Sequence, residues 1–211
     1  MRRTSKKDGI RTYSSDKDLV DSKRKEIVDE AAKVLVKKGY HQTNMRELSS
    51  AIGMSIGSIY HYVGSKQDIL YLIISAAVNR PDDWTDSIEA NLKIRSATKV
   101  LKEFINSYYT SVDRENNAAL FTYQETKNLD RKSQKTILDA AAKDVEACAI
   151  ILRKGIQTGE FKIDNVLLTA HNVIVLGHVW SIRRWYLSKV CSLDEYIREQ
   201  TGLILSKIAN K

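Results

Sequence analysis

Proline is almost missing from this chain, with one residue, Pro81, among 211, and glycine is scarce at nine. Runs of alternating β-branched residues are few as well. Together these shortages exclude a loop-rich or all-β protein and favour helices. Cysteine is limited to Cys148 and Cys191, which form no C-x-x-C pair. That excludes a disulfide framework and a cysteine zinc site, and both are expected to be packing thiols in a reducing cytoplasm. Long apolar runs are missing too. The N-terminus has no apolar stretch of the secretory kind, so no leader is expected. The most apolar run, Val166 to Trp180, is shorter than a membrane span and is interrupted by Thr169, His171, Asn172 and His178. The H-E-x-x-H, G-x-x-x-x-G-K and G-x-S-x-G patterns do not occur, so no enzyme is expected. His171 and His178 are seven apart, roughly 10 Å along a helix axis. They cannot share a metal, and no cofactor is expected.

What is present is an ordinary globular balance, 43% apolar and 28% charged, with a formal net charge of +8. The charge is unevenly spread. Residues 1–66 carry 14 Lys/Arg against 8 Asp/Glu, and residues 67–211 carry 20 against 18. A basic first segment on a near-neutral remainder is the footprint of a polyanion-binding head, or of a solvated basic tail.

Within the basic segment, Thr43 to Lys66 holds two short apolar-periodic runs. Met45, Leu48 and Ile52 keep the spacing of one helix face, and Ile56, Ile59 and Val63 repeat it. Gly53-Met54-Ser55 separates them. Gly53 can take the positive φ that closes a helix, and Ser55 can cap the next one. Asn44, with Glu47 three residues on, reads as a capping box. Two short helices joined by a tight turn form a helix-turn-helix, whose second helix normally enters a DNA major groove.

Residues 1–17, with Arg2, Arg3, Lys6, Lys7 and Arg11, lack periodicity and are expected to be a disordered basic arm, either a tail or a reach to phosphates or a minor groove. A first helix is expected over 20–38, with Ile27, Ala31, Val34 and Leu35 inward and Gly39 ending it. Ser65-Lys66-Gln67-Asp68 opens a fourth helix to about Asn79. The proline break at Arg80-Pro81-Asp82-Asp83 suggests a junction. Five further helices follow at about 86–114, 116–128, 130–158, 164–189 and 193–209, broken at Glu115-Asn116-Asn117, Leu129-Asp130, Thr158-Gly159-Glu160 and Val190-Cys191-Ser192. The expected fold is therefore all-α with about nine helices: an arm (1–17), a helix-turn-helix domain (18–66) and a helical body (67–211). Residues 164–189 are apolar nearly all round, and Ile197, Thr201, Ile204 and Ile208 make one stripe of the last helix. Two such helices suggest a four-helix interface between two copies.

The sequence of a capped helix, the G-M-S turn, I-G-S-I-Y-H-Y, G-S-K and an apolar helix into a helical body resembles the TetR family of bacterial transcriptional regulators. The motifs cover roughly residues 22–75. The resemblance implies a homodimeric cytoplasmic repressor, bound to an inverted-repeat operator on double-stranded DNA in the nucleoid and released by a small-molecule effector. Of the third helix, Ser55, Ile56, Gly57, Ser58, Tyr60 and His61 lie at its N-terminal end and groove face. Ile56 can meet a thymine methyl, and Ser58 or His61 can hydrogen-bond base edges. By resemblance Tyr60, Lys66, Thr43 and Arg46 contact phosphates, while Tyr62 is a core aromatic. Such families often carry a basic residue just after the turn serine, where this chain has Ile56.

Two stretches of the body stand out: Phe121-Thr-Tyr123-Gln-Glu125-Thr-Lys127 and His178-Val-Trp180-Ser-Ile-Arg183-Arg184-Trp-Tyr186. Trp180 and Arg184 share a face. Arg183 and Arg184 follow an apolar run and need a partner, which can be Glu125, Glu146 or an anionic ligand. The stretches look like the branch of the family that senses acyl-CoA thioesters, in which aromatics line an acyl tunnel and arginines meet CoA phosphates. A salt bridge with dimer packing explains the same residues. A drug-responsive regulator of an efflux system and a DNA-binding regulator without a ligand are the alternatives.

Overall fold

The computed structural model describes residues 5–7, 10–12, 16–81, 83–114 and 118–210. Among these, helices dominate and form two compact units, residues 1–77 with 121–137, and residues 78–120 with 138–211. The fourth helix thus groups with the head rather than with the body, as does a stretch taken from the middle of the body sequence. The expected break at Glu115-Asn116-Asn117 lies outside the described residues.

The first unit opens with two short strands, β1 (Ser5–Lys7) and β2 (Ile10–Thr12), antiparallel, pairing Ser5 with Thr12, Lys6 with Arg11 and Lys7 with Ile10. The arm expected to be disordered therefore carries paired backbone where it is described. Ile10 and Thr12 are buried, and that apolar and hydrogen-bonded attachment is what periodicity could not reveal. Helix α1 (Lys17–Lys38) starts at Asp16, whose side chain accepts from Leu19 N, and stops at Gly39, whose φ is 83°. Its inward stripe is Val20, Arg24, Ile27, Ala31 and Leu35. Helix α2 (Met45–Ile52) begins with the expected capping box and ends at Gly53 in the left-handed region, φ 74°. Helix α3 (Ile56–Ile59) is capped by Ser55 and is shorter than its apolar spacing suggests. Beyond Ile59 the chain tightens, with His61 N donating to Ser58 O and Tyr62 N to Ile59 O, three-residue turns of the 3₁₀ kind. Helix α4 (Lys66–Val78) buries Ile69, Leu70, Ile73 and Ile74.

The second unit is built on α5 (Trp84–Ile94), α6 (Ala97–Arg114), α9 (Val166–Ile182), α10 (Arg184–Leu187) and α11 (Leu193–Ile208). Helices α7 (Ala118–Glu125) and α8 (Arg131–Gln157) cross between the units, with a 3₁₀ turn at Thr126–Asn128 between them. The expected helix 86–114 is two helices. Arg95 is extended, and the Glu160 carboxylate caps the α6 N-terminus by accepting from Ala97 N and Thr98 N, each at 2.9 Å. A cap drawn from more than sixty residues away leaves no local signal. Likewise 164–189 breaks at Arg183 into α9 and α10. The core of this unit gathers Leu101, Phe104, Ile105, Tyr108 and Tyr109 of α6 with Val173, Ile174 and Trp180 of α9 and Ile197 and Ile204 of α11. Gly177 permits the close approach, since a Cβ there would lie 2.7 Å from Tyr109 Cδ1. Cys148 is fully buried, which pushes its thiol up to about 12, and Cys191 is half-buried. Among the described residues no helix is long and apolar enough to cross a membrane.

Candidate functional site

The helix-turn-helix is held by short-range hydrogen bonds that the sequence encodes. Asn44 Oδ1 accepts from Arg46 N at 2.9 Å and Glu47 N at 3.0 Å, and Glu47 Oε2 accepts from Asn44 N at 3.1 Å. The other Glu47 oxygen pairs with Lys38 at 2.7 Å. In the turn, Ser49 Oγ donates to Met54 O, while Gly53 N and Met54 N donate to Ser49 O. Ser55 Oγ accepts from Ser58 N at 3.0 Å and meets Ser58 Oγ at 2.8 Å. These bonds orient α3 so that Ile59 is fully buried, while Ser55, Gly57, Tyr60 and His61 are exposed and Ile56 and Ser58 half-buried. Arg46 is exposed on the first turn of α2. Ser55 to Ser58 thus lie at the start of α3, Tyr60 and His61 just past its end, and Arg46 at the start of α2, all at least partly accessible.

Two residues expected at phosphates bond to main-chain carbonyls of the protein itself. Thr43 is only 2% exposed, and its hydroxyl donates to Gly39 O at 2.9 Å. Its short side chain is used to close the turn after α1. The Lys66 ammonium donates to Tyr40 O at 2.6 Å and Thr43 O at 2.7 Å, with the Tyr40 ring centroid 4.0 Å away. Burial holds it below the ordinary lysine range, against the opposing pull of Glu125. Lys66 thus satisfies carbonyls at the junction of α1 and α2. Glu125, expected at a ligand, has its own task in this unit, with one oxygen accepting from Tyr40 N at 3.3 Å and the other from Asn128 Nδ2 at 2.5 Å. Asn128 in turn meets His41 Nε2 at 2.8 Å and, through its carbonyl, Gln67 Nε2 at 2.9 Å. Phe121 is buried, whereas Tyr123 is exposed.

In the second unit Arg184 finds a partner that was not among those expected. Its Nη1 lies 2.9 Å from Asp113 Oδ1, the oxygen that also accepts from Trp180 Nε1 at 2.7 Å. Trp180 is buried, with its ring 5.2 Å from that of Tyr196. The shared face of Trp180 and Arg184 therefore converges on one carboxylate of α6. Glu146 pairs instead with Arg153 at 2.5 Å, and Arg183 is exposed with its guanidinium 5.1 Å from the Trp185 ring.

His178 belongs to a buried polar network whose other members sequence reasoning missed. Arg80 Nε and Nη2 donate to the two oxygens of Asp144 at 3.0 and 2.9 Å. Tyr108 Oη donates to Asp144 Oδ2 at 2.9 Å and contacts His178 Nε2 at 2.8 Å. An ionised carboxylate only accepts, so the one hydroxyl hydrogen of Tyr108 goes to Asp144, and His178 Nε2 carries a hydrogen that it donates to Tyr108. Burial lowers the His178 pKa; Asp144 opposes this, and Arg80 and His171 add to it. Burial, and then Asp144, raise that of Tyr108. Arg80 also lies 5.6 Å from the Trp84 ring and 5.5 Å from that of Tyr108. A signal for Asp144 did exist, because it falls on the helical stripe of Ile137, Ala140, Ala147 and Ile151, all buried, and is itself 4% exposed. Arg24 breaks the α1 stripe in the same way. Among the described residues no cluster of three or more His, Cys, Asp or Glu side chains can hold a metal.

A short capped α2, a left-handed glycine turn and a solvent-facing α3 ahead of an all-helical unit define a helix-turn-helix DNA-binding regulator. Residues 27–71 match the family of bacterial regulatory proteins, tetR family, and residues 95–202 match the tetracyclin repressor-like C-terminal domain. The chain belongs to the TetR family of transcriptional regulators. It is 25% identical over 202 residues to the HTH-type transcriptional regulator HbdR of Aromatoleum sp. (strain CIB), covering 95% of this chain and 86% of that one. To the HTH-type transcriptional repressor KstR2 of Rhodococcus jostii (strain RHA1) it is 23% identical over 194 residues, 89% and 92% of the two chains. Its fold is similar to that of AibR in complex with isovaleryl coenzyme A and operator DNA, with a TM-score of 0.70 at 16% identity over 86% of this chain and 97% of that chain.

Proposed function

We propose that this protein is a homodimeric repressor that grips an inverted-repeat operator through α3 and is released from it by a small-molecule effector, with an acyl-CoA thioester the leading class. The observation that carries the DNA-reading half is the accessibility of Arg46, Ser55, Ile56, Gly57, Ser58, Tyr60 and His61 while Ile59 is buried. Ser58, His61 and Ile56 are assigned to base edges, and Arg46 and Tyr60 to phosphates. The name of KstR2 supports repression as the output. For dimerisation, the support is apolar surface on the last helices: Leu167 53%, Leu168 55% and Leu203 61% exposed. A groove of about 750 Å³ between α9 and α11 includes Leu168, Thr169, Leu203 and Ile204 in its walls. Reading half-sites one DNA turn apart requires two α3 helices about 34–36 Å apart, which is why a dimer belongs to this reading.

The effector half rests on less of the chain. AibR was solved with isovaleryl coenzyme A, so this fold can hold a CoA thioester. Arg183 is exposed and Arg184 is 44% exposed, which leaves both within reach of phosphate, although Arg184 would have to exchange Asp113 for it. An effector must bind the DNA-incompetent state better than the competent one to release the operator. The test is an electrophoretic shift on the DNA upstream of the protein's own gene. A shift at low salt that CoA thioesters abolish is the expected result. No shift by folded dimer overturns the DNA-binding reading. With Arg184→Ala, release by the thioester should weaken while the shift itself stays; an unchanged response removes Arg184 from the site.

A further inference from the structure

A groove of about 300 Å³ in the second unit, between α5 and α8, carries charges that the protein leaves unmatched. Helix α5 lines it with Glu89, Leu92 and Lys93, and α8 with Ile150, Arg153, Lys154 and Gln157. Both sets are spaced three and four residues apart, so each occupies one face of a rigid helix. Leu92 is buried and Ile150 half-buried, which gives the groove an apolar part. Arg153 is committed to Glu146, both of whose oxygens it meets. Glu89, Lys93, Lys154 and Gln157 have no side-chain hydrogen bond or ion pair among the described residues. Glu89 and Lys93 are four apart with the acid first, the order in which helical ion pairs form most readily, and still they do not pair. Lys154 is half-buried, and a cation drawn out of water without a partner is unfavourable.

Each of these groups meets one part of a phosphorylated nucleoside. Ammonium groups hold phosphate as point charges. A carboxylate accepts from ribose hydroxyls. An amide carries both the donors and the acceptor that a base edge needs, and the faces of a base suit Leu92 and Ile150. A bare anion would face Glu89 and leave the apolar part empty. The volume lies at the lower end of the roughly 300–1,000 Å³ range of small-molecule sites. We propose that the groove between α5 and α8 binds a phosphorylated nucleoside, with Lys93 and Lys154 on phosphate, Glu89 on the ribose and Gln157 on the base. The site shares no residue with the helix-turn-helix or with the Arg183 and Arg184 region. The same chemistry is offered by a free nucleotide and by the phosphoadenosine end of coenzyme A.

The test is isothermal titration calorimetry of the full-length protein at low salt, without DNA. The probes are ADP, GDP, UDP, their parent nucleosides, inorganic phosphate and coenzyme A. At least one diphosphate should bind, and its nucleoside and inorganic phosphate should each bind at least about tenfold more weakly, since each engages only part of the lining. Lys93→Gln/Lys154→Gln should weaken the diphosphate at least about tenfold through the loss of two charge-assisted contacts. Lys99→Gln/Lys102→Gln removes the same charge from exposed positions of α6 and should change nothing. Glu89→Gln should weaken the diphosphate and strengthen inorganic phosphate, because it removes a ribose acceptor and a repelling charge together. Coenzyme A weakened in parallel by the first pair assigns the groove to its nucleotide end. Coenzyme A that is unaffected, or does not bind, assigns it to free nucleotides. The proposal is overturned if no diphosphate binds the folded protein, if binding survives the Lys93 and Lys154 changes, or if inorganic phosphate binds as tightly. None of these outcomes touches the operator reading, which the electrophoretic shift tests by itself.

Discussion

Replacing Asp144 by Asn tests whether the buried network of the second unit holds that unit together. Asparagine keeps the shape and can still accept the Tyr108 hydroxyl hydrogen, but it removes the charge that faces Arg80. The Asp144 and Arg80 side chains are 6% and 17% exposed, so water screens the pair weakly. Breaking a buried pair from one side leaves an uncompensated charge and costs about 3–5 kcal/mol, whereas removing both charges is often close to neutral. The Arg80 guanidinium retains some exposure and two aromatic faces, so the lower figure, about 3 kcal/mol, is expected for Asp144→Asn. With an m value of about 2 kcal/mol/M, the urea midpoint of this unit should fall by about 1.5 M. Unfolding should be followed by tryptophan emission, since Trp84 and Trp180 both lie in this unit. The double variant Arg80→Met/Asp144→Asn should recover about 2 kcal/mol of the loss, which a double-mutant cycle isolates. An Asp144→Asn protein within about 0.5 kcal/mol of the wild type, or a cycle with no coupling, would refute the reasoning.

Three further outcomes follow from the same structure. Glu160 is held down to about 2: burial opposes the shift, but hydrogen bonds from Thr98 and Ala97 N–H and from the Thr98 and Thr158 side chains outweigh it. A depressed carboxylate stabilises the fold fully above its unfolded pKa of about 4.3 and loses that contribution as pH falls towards 2. Discounted for solvent screening, Glu160→Gln should cost about 1 kcal/mol at pH 7 and progressively less as pH falls from about 4 through about 2, measured as the difference between urea midpoints. Gly155→Ala would set a Cβ 2.0 Å from Phe161 Cδ2, in a ring that is only 3% exposed. Overpacking there should cost at least about 1–3 kcal/mol in the same assay, and a neutral result would show that the α8 end yields freely. Leu203→Arg should leave the chain folded and convert dimer to monomer in sedimentation velocity, because Leu203 is 61% exposed on α11. A persisting dimer would move the interface off this face.

How much of this was readable beforehand depends on how far apart the interacting residues lie in the chain. The helix-turn-helix was legible almost residue by residue. Its caps act over three residues, from Asn44 to Glu47 and from Ser55 to Ser58, and its turn over five, from Ser49 to Met54. The same local logic gave the end of α1 at Gly39 and the positive φ at Gly53, whereas α1 starts at Lys17 and not at 20. It failed where a distant group decides a local break. Nothing near Arg95 announces that Glu160 will cap α6, and the α5–α6 boundary was missed for that reason. It did not disclose the intramolecular partners of Lys66 and Thr43 either. There a motif position suggested a phosphate contact, while the fold uses both side chains to satisfy main-chain carbonyls.

The body was harder for a related reason, and the arginine pair shows it. Spacing placed Trp180 and Arg184 on one face, and the structure bears that out through the oxygen they share. Spacing could not choose their partner, because a carboxylate 67 residues away on another helix is invisible to a helical wheel. What the sequence does disclose is the anomaly itself, a charge at a position whose neighbours are core. Among the described residues Arg24 and Asp144 are the two cases, each below about a tenth exposed and each bonded to groups brought from elsewhere in the chain. Burying such a charge is costly unless the fold returns specific partners, so its position predicts a tertiary tie without naming the other end. In the head that tie runs from α1 to the α3 turn and to β2. In the body it runs from the residues after α4 to α8, and through Tyr108 to α9. The buried charges therefore mark fastening points within each of the two units.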